Sequence, residues 1–217
     1  MTYYATIAFS FSIFIASIAG IIKFRKIDSS YYPFILLTIA ATINEIVSAI
    51  IVKHRHNTAI NNNIYVLIEA LLIIWQFKKW GVFDNRRILF KVLLISITVL
   101  WLWEYQSPLK LQEIGLFFRV AASFIIVICS VTIVSRFLIV HNKRLVTNPV
   151  FIICCGFILF FTYKIFVEIF WICGKDADQV FSNYVYNLMR YINLISNLIY
   201  AIAIICIPTK PRFITLY

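Results

Sequence analysis

Charge is what this sequence has least of. Asp, Glu, Lys and Arg make up 13% of its 217 residues, about half the share usual in soluble domains, which excludes a water-soluble globular fold and leaves no room for a separate soluble domain. Histidine is sparse as well: His54, His56 and His141 all fall in polar connections. No HExxH, GxSxG, Walker loop or dinucleotide fingerprint occurs, so the common metal, acyl-transfer and nucleotide chemistries have no carrier. Glycine is limited to Gly20, Gly81, Gly115, Gly156 and Gly174, which argues against the broken, Gly-rich helices of many transporters. The cysteines, Cys129, Cys154, Cys155, Cys173 and Cys206, show no CxxC spacing and lie within or at the ends of apolar runs. They read as small apolar core residues, with no disulfide frame and no zinc site.

What the chain has in abundance is apolar surface, 62% hydrophobic and 17% aromatic residues. Runs of membrane length, each close to the ~20 residues a crossing needs, fall at 3–22, 31–52, 60–79, 88–104, 113–140, 150–173 and 180–207. They predict an all-α integral membrane protein of seven transmembrane helices forming a single domain, 1–217. Pro33 and Pro149 open the second and sixth runs, where a missing amide hydrogen does no harm. The fourth run is the shortest, and Lys91 lies near its start.

The formal charge of +11 is a matter of sidedness rather than of nucleic-acid binding, and no nucleic-acid partner is expected. Lys53, Arg55, Lys110 and Lys175 lie in connections on one side. On the other lie Lys23, Arg25, Lys26, Lys78, Lys79, Arg86, Arg87, Lys91, Arg136, Lys143, Arg144, Lys210 and Arg212. Thirteen against four puts the N-terminus outside and the C-terminus in the cytoplasm. Trp80 is then expected at the inner interface, and Trp101, Trp103 and Trp171 near the outer one. The first run lacks a basic leader and is followed by "KFRK", so a retained anchor is expected, although "IASIAG" also has the small residues of a cleavage site.

The third and seventh runs share a spacing, Asn62, Tyr65 and Glu69 against Asn183, Tyr186 and Arg190. Each follows a proline-opened helix, and each of those follows a helix ending in a basic stretch. The pattern suggests a 3+1+3 plan with the fourth helix as linker, with chance likeness among Tyr- and Asn-rich helices as the alternative.

Six charged residues sit deep in these runs: Glu45, Glu69 and Glu168 against Arg119, Lys164 and Arg190. Each costs roughly 2.5–3.5 kcal/mol at the centre of a lipid-facing helix, so they are expected to face protein or water. Their equal numbers suit mutual neutralisation. At 100° per residue, Asn183, Tyr186, Asn187, Arg190, Asn193 and Asn197 form one polar stripe on the seventh helix. Asn62, Tyr65, Glu69 and Gln76 do so on the third, and Lys164 and Glu168 share a face of the sixth. A cluster that served only to fix helix register would hardly need so many groups. The candidate ligand-binding residues are therefore Glu45, Asn62, Tyr65, Glu69, Arg119, Lys164, Glu168, Tyr186, Asn187, Arg190 and Asn193, around an outward-facing polar pocket.

No cofactor or metal is expected. "KHRH" reads as a solvated cationic turn rather than a metal site. A retinal Schiff base on Lys164 is disfavoured, because Arg190 occupies the helix on which microbial rhodopsins carry that lysine. Three function classes remain. A sensor or receptor would bind a small polar, zwitterionic or amphiphilic ligand and signal through a cytoplasmic or membrane partner. A transporter would use the same residues at the membrane midplane, with Glu69 or Glu45 coupling to protons or sodium. An intramembrane enzyme would use one of the carboxylates near a lipid head group, and it lacks a histidine or nucleophile for the work. Sensing is the favoured expectation, with membrane lipids as the constant surroundings.

With "NEIV" at Asn44 to Val47, "NNNIYVLIE" in the third run and "TNPVFIICCGFILFFTYKIFVEIFW" from Thr147, the chain resembles, in layout and over almost its full length, a loose group of uncharacterised small bacterial seven-helix integral membrane proteins. The resemblance implies the seven-helix fold and a bacterial cytoplasmic membrane, and carries over no functional residue.

Overall fold

The structure, a computed structural model, describes residues 9, 11–54, 56–84, 86–113, 115–140, 145–173 and 179–209. Of the residues used to set topology, Arg55, Lys143, Arg144, Lys175, Lys210 and Arg212 lie outside them, as do His141 and the beginning of the first run. The long helices are α1 (Ile13–Lys23), α2 (Tyr32–Lys53), α3 (Ala59–Lys79), α4 (Arg87–Glu104), α5 (Phe117–Val140), α6 (Pro149–Cys173) and α7 (Gln179–Cys206). A one-turn helix at Pro108–Leu111 joins α4 to α5. Among the described residues there is no strand, only an isolated antiparallel pairing of Ile27 with Thr209.

The helix ends follow local chemistry. Asn57 Oδ1 accepts the Ala59 N–H at 2.9 Å to start α3, and Asn148 Oδ1 accepts from Val150 and Phe151 at the proline-led start of α6. Both side chains satisfy amide donors that an opening helix leaves unpaired. α3 ends where Gly81 takes φ +76°, a left-handed conformation that glycine adopts without steric penalty. Glu104 caps α5 from a distance, its two carboxylate oxygens accepting from Phe117 N–H at 3.0 Å and Phe118 N–H at 2.6 Å. At the opposite end of the bundle, the Lys23 ammonium donates to the Ile204, Ile205 and Ile207 carbonyls at 3.2, 2.6 and 3.3 Å, where the α7 dipole is negative.

Six helices pack as a ring in the order α1, α2, α3, α5, α6, α7, with α7 closing on α1; α4 lies outside it, against α3 and α5. Only Ile97 of α4 is fully buried. At the end where α2 and α6 begin, the ring is filled by aromatic rings: Phe157 meets Phe34, Phe77 and Tyr200 with centroids 6.0, 6.1 and 5.6 Å apart. Small residues bring helices together, Gly20 of α1 against Ile35 of α2 and Gly156 of α6 against Tyr200 of α7. Gly20 and buried Ala16 thus have a packing role within "IASIAG".

The outer faces carry exposed isoleucine, leucine, valine and phenylalanine, among them Ile95, Ile128, Phe166 and Ile202. Buried groups include Glu69, Lys164, Glu168, Gln76 and Asn63. Polar inside and apolar outside is the distribution expected of a bundle surrounded by hydrocarbon. Five segments are long and apolar enough to cross a membrane: Ser29–Lys53, Ala59–Lys79, Phe117–Ile139, Pro149–Cys173 and Phe181–Cys206. The other two expected spans fall short of that measure. α1 is described over 11 residues, and the 18 residues of α4 include Arg87, Lys91 and Glu104.

Candidate ligand site

Inside the ring lies a cavity of about 680 Å³, walled by α2, α3, α6 and α7, with Ile13 of α1 and Arg119 of α5. It reaches the bundle surface near the exposed residue Glu113, in the connection ahead of α5. α3 and α7 start at that end and α6 finishes there. At 1.5 Å per residue, Glu69, Lys164 and Arg190 all lie about 15 Å below it.

All the candidate residues line this cavity except Asn187. Glu45 comes from α2; Asn62, Tyr65 and Glu69 from α3; Lys164 and Glu168 from α6; and Tyr186, Arg190 and Asn193 from α7. Asn187 sits one turn before Arg190, and its Oδ1 accepts from Arg190 Nη1 at 3.2 Å. Asn183, the first member of the predicted stripe, is exposed.

The ion pairs are not those of helical spacing. Lys164 Nζ donates to Glu69 Oε2 of α3 at 2.9 Å, both side chains 9% exposed. The Tyr65 hydroxyl donates to the other oxygen of Glu69 at 3.2 Å. Glu168, four residues from Lys164 on the same helix, instead faces Arg119 Nη1 at 3.7 Å, too long for a good hydrogen bond. Arg119 Nη2 donates to Asn63 Oδ1 at 3.1 Å, and its buried Nε has no partner among the described residues. Arg190 makes no ion pair among the described residues. Among the described residues the charge pairing therefore leaves one cavity guanidinium without an ion pair.

Several residues that hold the site carried little signal in the sequence. Asn63 is fully buried and organises the Glu113 end. Its Nδ2 donates to the Leu111 and Glu113 carbonyls at 3.0 and 2.7 Å, and its own carbonyl accepts from Trp101 Nε1 at 3.0 Å. Asn57 Nδ2 adds a bond to the Gln112 carbonyl at 2.8 Å. Beside them, the Gly115 N–H donates to the Tyr105 hydroxyl at 3.0 Å. Burial is the larger influence on Tyr105 and raises it above the ordinary phenol range, against the opposing pull of the Arg119 guanidinium. Asn61 Nδ2 ties α3 to α2 through Asn44 Oδ1 and Ser48 Oγ at 2.8 and 2.9 Å. Three neighbouring asparagines, Asn61 to Asn63, point in three directions on a helix, and sequence alone does not reveal which of them meets a loop.

Trp101 and Trp171 also serve the site: one bonds Asn63, and the other lines the cavity with its ring 5.3 Å from Tyr186. Two expectations are corrected. Gln76, expected on the polar stripe of α3, lies outside the cavity. Its Oε1 accepts the Phe34 N–H at 2.8 Å and its Nε2 donates to the Ser30 carbonyl at 2.5 Å, securing the start of α2. Cys173 is exposed rather than in the core. Among the described residues no cluster of His, Cys, Asp and Glu is placed to hold a metal.

Comparison with protein-family models, with characterised proteins and with solved structures finds no match to this chain.

Proposed function

We propose that this chain is a seven-helix protein of the bacterial cytoplasmic membrane, N-terminus outside, whose cavity opens outward and binds a small polar, zwitterionic or amphiphilic ligand in the manner of a sensor. Arg190 carries the reading. A guanidinium about 15 Å inside a bundle, lining a cavity of about 680 Å³ with no carboxylate partner among the described residues, is expensive to keep unless something fills its donors. The volume falls within the range of sites for small organic ligands.

Seven crossings are supported by the length of α4, about 27 Å for 18 residues, and by the uneven spread of Lys and Arg. Two features favour a signalling use. α7 carries Arg190 near its middle and presents its last carbonyls to Lys23 at the far end, so a ligand that pulls on α7 shifts a contact beside the basic loops. Those loops are suited to anionic lipid heads or a cytoplasmic partner.

The test is thermal unfolding of the purified protein in nanodiscs against a panel of amino acids, betaines, carboxylates and single-chain amphiphiles. A binder at 100 times its Kd adds about 2.7 kcal/mol. At least one compound should raise the midpoint in the wild type and not in Arg190→Gln; a panel without effect overturns the proposal.

A second reading, transport, draws on the ring order. α3 beside α5 and α7 beside α1 are the adjacencies that a two-fold 3+1+3 repeat requires, and Tyr65 and Glu69 share a cavity with Tyr186 and Arg190. Transport predicts ligand flux into proteoliposomes that Glu69→Gln abolishes. Binding without flux leaves the sensor.

A further inference from the structure

Resting on that reading of the cavity, we infer that the ligand is an amphiphile with one anionic head, a carboxylate or a phosphate, held by Arg190, and an apolar body lying between Arg190 and Tyr200. Charge decides the head. Glu69 is held by Lys164 at 2.9 Å and Glu168 faces Arg119 at 3.7 Å, while Glu45 is not without a partner of its own. The lining acid left without an ion pair among the described residues is Glu113, about 15 Å along the bundle from Arg190 and too far to receive the ammonium of a small zwitterion held there, whereas Arg190 retains donors beyond the one given to Asn187. A planar guanidinium in a low-dielectric site suits a carboxylate or phosphate, with which it forms paired, charge-assisted hydrogen bonds.

The deep half of the cavity decides the body. Arg190 and Tyr200 are separated by about 15 Å along α7, and the wall there is made by Ile13, Leu37, Ile73, Phe157 and Phe161. Three polar side chains interrupt it, Thr38, Asn193 and Asn197, and Thr38 and Asn197 already donate inside the protein. Thr38 Oγ1 donates to the Ile35 carbonyl at 2.9 Å, and Asn197 Nδ2 donates to Ser12 Oγ at 2.8 Å. A wholly polar ligand would lose hydration there and find little in return, whereas an apolar chain gains by burial. The aromatic packing of Phe34, Phe157 and Tyr200 sets the floor and so limits the length.

The test is equilibrium binding of radiolabelled decanoate to the protein in phosphatidylcholine nanodiscs, with empty nanodiscs subtracted. Saturable binding is expected, competed by decyl phosphate and at least tenfold less well by acetate, decanol or decylamine. Arg190→Gln should weaken decanoate at least tenfold, and Arg190→Lys should recover part of the loss. Met189→Trp, which keeps the charge and narrows the cavity beside Arg190, should weaken decanoate at least tenfold. Decanol or acetate competing as well as decyl phosphate overturns the inference, as does decanoate affinity unchanged in Arg190→Gln. If Arg190→Gln does not fold, unchanged decanoate affinity in Met189→Trp overturns it instead. If decanoate fails to bind while a betaine raises the unfolding midpoint, the cavity remains a ligand site and only the amphiphile is lost. If neither binds, both readings fall.

Discussion

Lys164 had two carboxylates to choose from, and the bundle gave it the more distant in sequence. Glu168 is its i+4 neighbour, yet such pairs on a helix are worth only about 0.2–0.5 kcal/mol. A cross-helix contact at 2.9 Å, out of water, satisfies both charges more fully and frees Glu168 for Arg119 of the adjacent α5. Removing one partner of a buried pair strands the other, at about 3–5 kcal/mol. Lys164→Met should therefore destabilise the protein by that order in unfolding measurements in mild detergent. Adding Glu69→Leu should restore most of the loss, since two apolar residues replace two compensated charges. A double variant no more stable than the single one would show that the pair is not the relevant unit.

Helix starts and close approaches set the stability of individual elements. Without Glu104 the first amides of α5 lose their acceptor, and Glu104→Ala should cost about 1 kcal/mol, as caps generally do, read as a lower unfolding midpoint. Gly156 is a stronger constraint. A Cβ placed there would meet Tyr200 Cε1 at 2.5 Å and Ile199 Cγ2 at 3.2 Å, and the Tyr200 ring is wedged against Phe34 and Phe157. Gly156→Ala should thus cost about 1–3 kcal/mol by overpacking, more than Glu104→Ala, even though alanine is the better helix former. Equal or higher stability in the alanine variant would mean that α6 and α7 can part freely.

At the scale of the whole molecule, the distribution of charge predicts which way the bundle sits. Cys173, exposed at the cavity end, and Asp84, in the turn after α3, lie at opposite ends. A variant with Cys173 as its only cysteine should react with a membrane-impermeant maleimide in intact cells. One with its only cysteine placed at position 84 should react only after the membrane is opened. The reverse pattern would invert the topology and turn the cavity toward the cytoplasm. Much of this plan was legible from the order of residues: the helical runs, the proline-led starts of α2 and α6, and most of the residues that line the cavity. The place of Asn187 beside the cavity and the use of Gln76 as an anchor for α2 were not, because helical angle gives a direction and not what stands there.

The sequence by itself determined that the fold is all-helical, that charged residues this deep must turn inward, and which residue types gather there. Burying a charge in an apolar medium costs too much for any arrangement of these helices to allow otherwise. Only the tertiary structure decided the partners: Glu69 with Lys164, Glu168 facing Arg119, and Arg190 in the cavity with no ion pair among the described residues. Those outcomes depend on which helices become neighbours in the ring. That order is set by side-chain packing between segments far apart in the chain, a quantity that periodicity along one helix does not contain.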